Sequence, residues 1–112
     1  MDQIEETAEQ LRNSGLVLSL NNRVPDALNK LNGSISMNPI NAEYNLQRGI
    51  LHKKMKNFNS AIDDFLVGLD KINHDQSKEP QLFANFQRHI LLTYNDFAIG
   101  LIILNSKISH YY

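Results

Sequence analysis

Sliding the chain against itself by 34 residues brings residues of the same kind into coincidence. Ala8-Glu9 falls on Ala42-Glu43, Gly15 on Gly49, Val24 on Phe58 and Ala27 on Ala61. Leu31 falls on Phe65, Ser34 on Gly68 and Ile35 on Leu69. A fixed period of this length means stacked supersecondary units, each too small to bury its apolar face alone. The matching positions are small or apolar, which close packing between helices requires. Glycine costs ~1 kcal/mol against alanine inside a helix, so Gly15 and Gly49 imply a partner helix whose close approach offsets that cost. Ala27, Ala61, Ser34 and Gly68 are small for the same reason on the second helix of each unit.

Caps and breakers divide the chain into five helices. The first is expected from about Ile4 to Leu20, ending at the turn signal Asn21-Asn22. The second begins near Val24 with Pro25 and Asp26 in its first turn, where both are favourable. It stops before Asn38-Pro39, because the residue preceding a proline avoids helical angles. Asn41 caps a third helix reaching about Lys56, and Asn57 caps a fourth whose Phe58, Ala61, Ile62, Phe65 and Leu69 form one stripe. Asn73 to Lys78 reads as a polar loop, and a fifth helix runs from Pro80 to about Leu104.

The spacing Leu11, Ser14-Gly15, Leu18, then Ala27, Leu31 and Pro39 resembles the tetratricopeptide repeat, a pair of antiparallel helices. A second copy follows with Asn45, Arg48-Gly49, His52, Ala61 and Phe65, and with Asn73 where proline is expected. Tyr94, Phe97-Ala98 and Leu101 match a first helix again at a shift of 49 from Gly49 to Ala98, about 15 residues beyond the regular period. The resemblance implies an all-α fold: two full repeats at 8–41 and 42–75, an insertion or extended helix at 76–90, and half a repeat at 91–104. Residues 1–7 start the first helix and 105–112 form a tail. The stretch from Leu91 to Ala98 looks like part of the large multi-repeat members of the family. Two readings of the apolar run Phe97 to Leu104 stay open: a closing helix, or the edge of an array shortened from a longer one. Its near all-round apolarity favours the second. Self-association through Phe97, Leu101 and Leu104 goes with the second reading, and a monomer with the first.

Other classes of function find little support. The formal charge of −1 and pI of 6.4 leave no electrostatic footprint for nucleic acid. His52-Lys53-Lys54-Met55-Lys56 is the sole basic cluster and reads as an exposed helix end. Cysteine is absent, so there is neither a disulfide framework nor a thiolate zinc site. The first residues lack the basic and apolar regions of a signal peptide, and Asn95-Asp96 and Asn105-Ser106-Lys107 interrupt any membrane span. A cytoplasmic placement is expected, and the likeness to large scaffolds adds a cytoskeletal or ciliary one. The histidines 52, 74, 89 and 110 show no metal spacing, with His52 at a helix-contact position. The adjacent Asp63-Asp64 read as a solvated edge rather than a catalytic pair. No phosphate-binding or nucleophile motif occurs. We therefore expect no enzyme, cofactor or metal.

The resemblance implies instead a protein or peptide partner, held in the groove lined by the first helix of each repeat. By position the contacts are Glu9, Arg12, Asn13 and Leu16 in repeat one. Repeat two supplies Glu43, Leu46, Gln47, Ile50, Lys53 and Lys54, and the partial copy Asn95, Asp96 and Ile99. Leu16, Leu46 and Ile50 would be the apolar anchors. The carboxylate clamp by which some members hold chaperone tails is not reproduced, since Leu16, Gln47, Leu92 and Asp96 stand beside Arg12 at its positions.

Overall fold

The structure, a computed structural model, describes residues 6–72 and 79–109. Ile4, the stretch Asn73 to Lys78 with His74, and His110 lie outside the described residues. Five helices follow one another: α1 (Ala8–Leu20), α2 (Val24–Met37), α3 (Ala42–Lys54), α4 (Phe58–Lys71) and α5 (Pro80–Ser109). The array is all-α among the described residues, and it is elongated. Its extents are 66 × 38 × 19 Å with a radius of gyration of 16.6 Å, against about 13 Å for a compact domain of this length.

The helix limits have local causes. α1 starts at Ala8, not near Ile4, because Thr7 takes extended angles and forms a capping box with Gln10. The Thr7 hydroxyl accepts from the Gln10 amide at 3.1 Å and the Gln10 side chain from the Thr7 amide at 2.8 Å. Asn41 caps α3 through the Glu43 amide, 3.0 Å away. Asn57 stands at the N-cap of α4, but its side chain makes no cap hydrogen bond. α3 ends two residues earlier than expected, because Lys56 turns into the left-handed region at φ 63°. Asn22 does the same at φ 60°, one 34-residue period earlier. The period therefore extends to backbone conformation at both hairpin turns.

Within each pair a glycine on the first helix admits a large side chain from the second. A Cβ on Gly15 would stand 2.3 Å from a Leu31 methyl carbon, and one on Gly49 2.3 Å from the Phe65 ring. Both large residues are fully buried. Within the first pair Ser34 donates to the Ala8 carbonyl at 2.8 Å, tying α2 to the start of α1, and between pairs Leu51 of α3 packs with Ala27 and Leu31. In the second core Ala42, Leu46, Ala61 and Phe65 meet Phe86 of α5.

α5 packs on α4 and touches α3. Phe86 fills the space beside Gly68, Phe65 stacks on His89 with centroids 5.6 Å apart, and Phe58 meets Phe97 at 5.7 Å. The level of α5 is set by two corresponding bridges between first helices. Lys54 donates to Ser19 at 2.8 Å, and Lys53 pairs with Asp96 at 3.2 Å. Ser19 to Lys53 is a shift of 34, but Lys54 to Asp96 is a shift of 42. The same 42 carries buried Tyr44 to Phe86 and Leu51 to Thr93. The 49 read from Ala98 is seven residues longer, about two helical turns. The two shifts therefore name the same helix face at levels two turns apart. Gly100, which the longer shift sets opposite α4, has nothing within 4 Å of where a Cβ would be. At 30 residues α5 is about 45 Å long, and from Ala98 onward it continues where α1 and α3 turn.

Candidate functional site

The first helices α1, α3 and α5 line one side of the array, and a groove of about 640 Å³ lies between α3 and α5. Ile50, Phe58, Ile99 and Ile103 give it apolar walls, while Lys53, Lys54 and Lys56 stand along it. Asp96 and His89 complete the α5 side. Asp96 holds Lys53, which leaves Lys54 and Lys56 as the exposed cations of the rim. The apolar residues sit here because α5 lacks the turn that ends α3, so Ile99 and Ile103 continue one side of the helix past Asp96.

A polar network joins α3 to α4. Arg48 grips the buried Asp64 with two hydrogen bonds, of 2.7 and 2.8 Å, and Asn45 adds a third at 3.1 Å. Arg48 also reaches Asn32 at 3.1 Å, and Lys71 donates to Asn45. The Asp64 pairing with Arg48 strengthens the guanidinium's hold on its proton. Asp64 is thus part of the interior, whereas the sequence alone suggests a solvated edge. His52 stands 3.6 Å from Asp64 with Nδ1 buried and unpartnered, and burial holds its pKa below the ordinary value. Burial lowers His89 in the same way, reinforced by Lys53 and Arg88. At the other end, Glu9 accepts from Arg12 and from the Tyr44 hydroxyl, the latter at 3.0 Å. The Arg12 bond, then the Tyr44 bond, keeps the Glu9 carboxyl below its usual range.

Among the described residues no group of three or more His, Asp or Glu is placed to hold a metal, and no helix is long and apolar enough to cross a membrane. No protein-family model matches the chain. Comparison with curated proteins is decisive. The chain is 32% identical over 111 residues, 90% of its length, to "tetratricopeptide repeat protein 16" of Macaca fascicularis. The same identity over the same length relates it to the protein of that name from Homo sapiens, and 30% over 118 residues to that of Mus musculus. The chain belongs to the tetratricopeptide repeat family. It spans only 12% to 15% of the length of these relatives.

Of the residues that the family resemblance nominates, Ile50, Lys53, Lys54, Asp96 and Ile99 come together around the groove. Leu46 does not belong with them: it is 5% exposed in the core, out of reach of a ligand. Arg12 is tied to Glu9 and lies 4.0 Å from Glu43. Asn13 opens on the α1–α2 edge beside Lys30, and Glu43 on a smaller concavity with Lys71 and Leu82. Leu16 and Gln47 are half-buried, and Asn95 is exposed outside the groove. Phe58, Lys56, His89 and Ile103 also line it but were not foreseen. The basic run and the α4 stripe already contained Lys56 and Phe58; Ile103 stands 49 residues after Lys54, and only His89, 42 residues after Gln47, needed the other relation. For self-association, Phe97 is engaged by Phe58 and Leu101 is 51% exposed. The side chain of Leu104 lies outside the described ones.

Proposed function

We propose that this tetratricopeptide segment is a non-catalytic binding module that captures an extended or helical peptide in the α3–α5 groove. The observation that carries the proposal is the juxtaposition of Ile50, Ile99 and Ile103 with the exposed Lys54 and Lys56. Apolar walls beside exposed cations suit a ligand with one or two large apolar anchors and neighbouring carboxylates. Ile50, Lys53, Lys54, Asp96 and Ile99 would make the contacts, with Gln47 and Leu16 extending the track toward α1 and Arg12, Asn13 and Glu43 at its margins. The family supports an interaction role in general; the groove supplies the ligand's chemistry. A scaffold in the cytoplasm, with a cytoskeletal or ciliary setting, is the role we assign to it.

The test is selection of peptides from a random displayed library against residues 1–112. Enrichment of acidic peptides with large apolar residues is expected, with binding lost in Ile99→Glu and Lys54→Glu, both at exposed positions. No enrichment, or binding unchanged in both variants, would refute the assignment of the groove.

A further inference from the structure

α5 docks along one stripe, Phe83, Phe86, His89, Ile90, Thr93 and Phe97. Of these six only His89 changes charge near neutral pH. Its ring lies on that of Phe65, with centroids 5.6 Å apart and 30° between the planes. This stack falls between the Phe86–Gly68 and Phe58–Phe97 contacts, in the middle of the docked half. Nδ1 of His89 is buried and has no hydrogen-bond partner. In the neutral ring that nitrogen can stand without a proton, so only a lone pair goes unmet. Charging the imidazole puts a proton on both nitrogens, and Nδ1 becomes a buried donor with nothing to receive it.

The neighbours oppose that charge. Lys53 of α3 and Arg88 of the same helix are the cations that act on the ring, and Lys54 and Lys56 share its groove. Among the described residues Asp96 is the one carboxylate lining the groove, and it is paired with Lys53 at 3.2 Å. Asp64, the buried carboxylate of α4, is committed to Arg48 and Asn45. Thr93, one turn on, gives its hydroxyl proton to the His89 carbonyl at 2.6 Å. A cationic ring would gain from the face of Phe65, but burial and the two cations outweigh that gain and hold His89 below its ordinary pKa. Release of α5 returns the ring to water, where both nitrogens find partners. We propose that His89 is an acid-sensitive latch: its protonation frees α5 from α4 and opens the groove, while the pairs α1–α2 and α3–α4 stay packed. α5 packs on α4 and touches α3, so it can open as a unit. His52, 3.6 Å from Asp64, belongs to the α3–α4 pair and is no part of the latch.

Docking is at full strength above the ordinary histidine value of 6.5. Below it each pH unit favours release by up to about tenfold, until the docked ring also titrates. The latch rests on the docking of α5 and not on the ligand assigned to the groove, so its test uses the full chain with no ligand. Amide exchange is followed by NMR at pH 7.5 and 5.5 and corrected for the intrinsic rate at each. Protection over 83–97 should fall roughly threefold to tenfold between the two, and at pH 5.5 α2 should remain better protected than α5. His89→Gln, uncharged at both values, should abolish the fall. If that variant does not dock α5 at pH 7.5, the native chain decides: the His89 ring resonances should titrate below pH 6.5, over the range in which 83–97 lose protection. Constant protection in α5, equal exchange of α2 and α5 at pH 5.5, a fall that persists in docked His89→Gln, or a His89 titrating at or above 6.5 would overturn the proposal.

Discussion

Asp64 accepts two hydrogen bonds from Arg48 and one from Asn45, while Asp63 beside it stands in solvent. Removing the buried carboxylate leaves Arg48 without its charge partner, so Asp64→Ala should cost about 3 kcal/mol in urea unfolding. Asp63→Ala should stay within about 0.5 kcal/mol. The histidines give a dependence on pH. Burial holds both His52 and His89 below their ordinary value of 6.5, so the folded chain binds fewer protons than the unfolded one around that pH. Stability is then full above about pH 6.5 and falls as acidification protonates the unfolded state first. Tm should drop between pH 7.5 and 5.5, and the combined variant His52→Gln and His89→Gln should flatten that slope. Adjacency in sequence says nothing of which aspartate faces inward. Only the position of Asp64 one turn from the buried Ala61 and Gly68, on the side meeting Asn45 and Arg48, decides it.

At the scale of helices and turns much was legible, because caps and breakers act locally. Pro25, Asn41, Asn57 and Pro80 each mark a boundary to within a residue. The missed start of α1 was legible too, as Thr7-Ala8-Glu9-Gln10 is a capping box in sequence. The level of α5 was not. Seven residues are two turns, so shifts of 42 and 49 present the same face, and only the contacts Lys53–Asp96 and Phe58–Phe97 separate them. That also hid His89 as a lining residue of the groove. The turns offer a test of their own: Lys56 holds a left-handed conformation that suits asparagine, the residue found one period earlier at Asn22. Lys56→Asn should raise stability by about 0.5 kcal/mol in thermal or denaturant unfolding, and a loss would mean the turn is otherwise constrained.

The whole molecule is a stack of pairs that depends on α5 docking against α4 and α3, for without it the groove has one wall and the cavity beside Gly68 loses Phe86. Repeat arrays gain stability from neighbours alone, so the docked half of α5 shares the protection of the core and the overhang does not. Ile102 projects from the overhang at 68% exposure. Amide hydrogen exchange measured residue by residue along α5 tests this directly. Slow exchange from about Phe86 to Phe97, comparable with α3 and α4, followed by fast exchange from Gly100 onward, is the predicted result. Uniformly fast exchange throughout 80–109 would mean that α5 does not dock, and the groove would not exist.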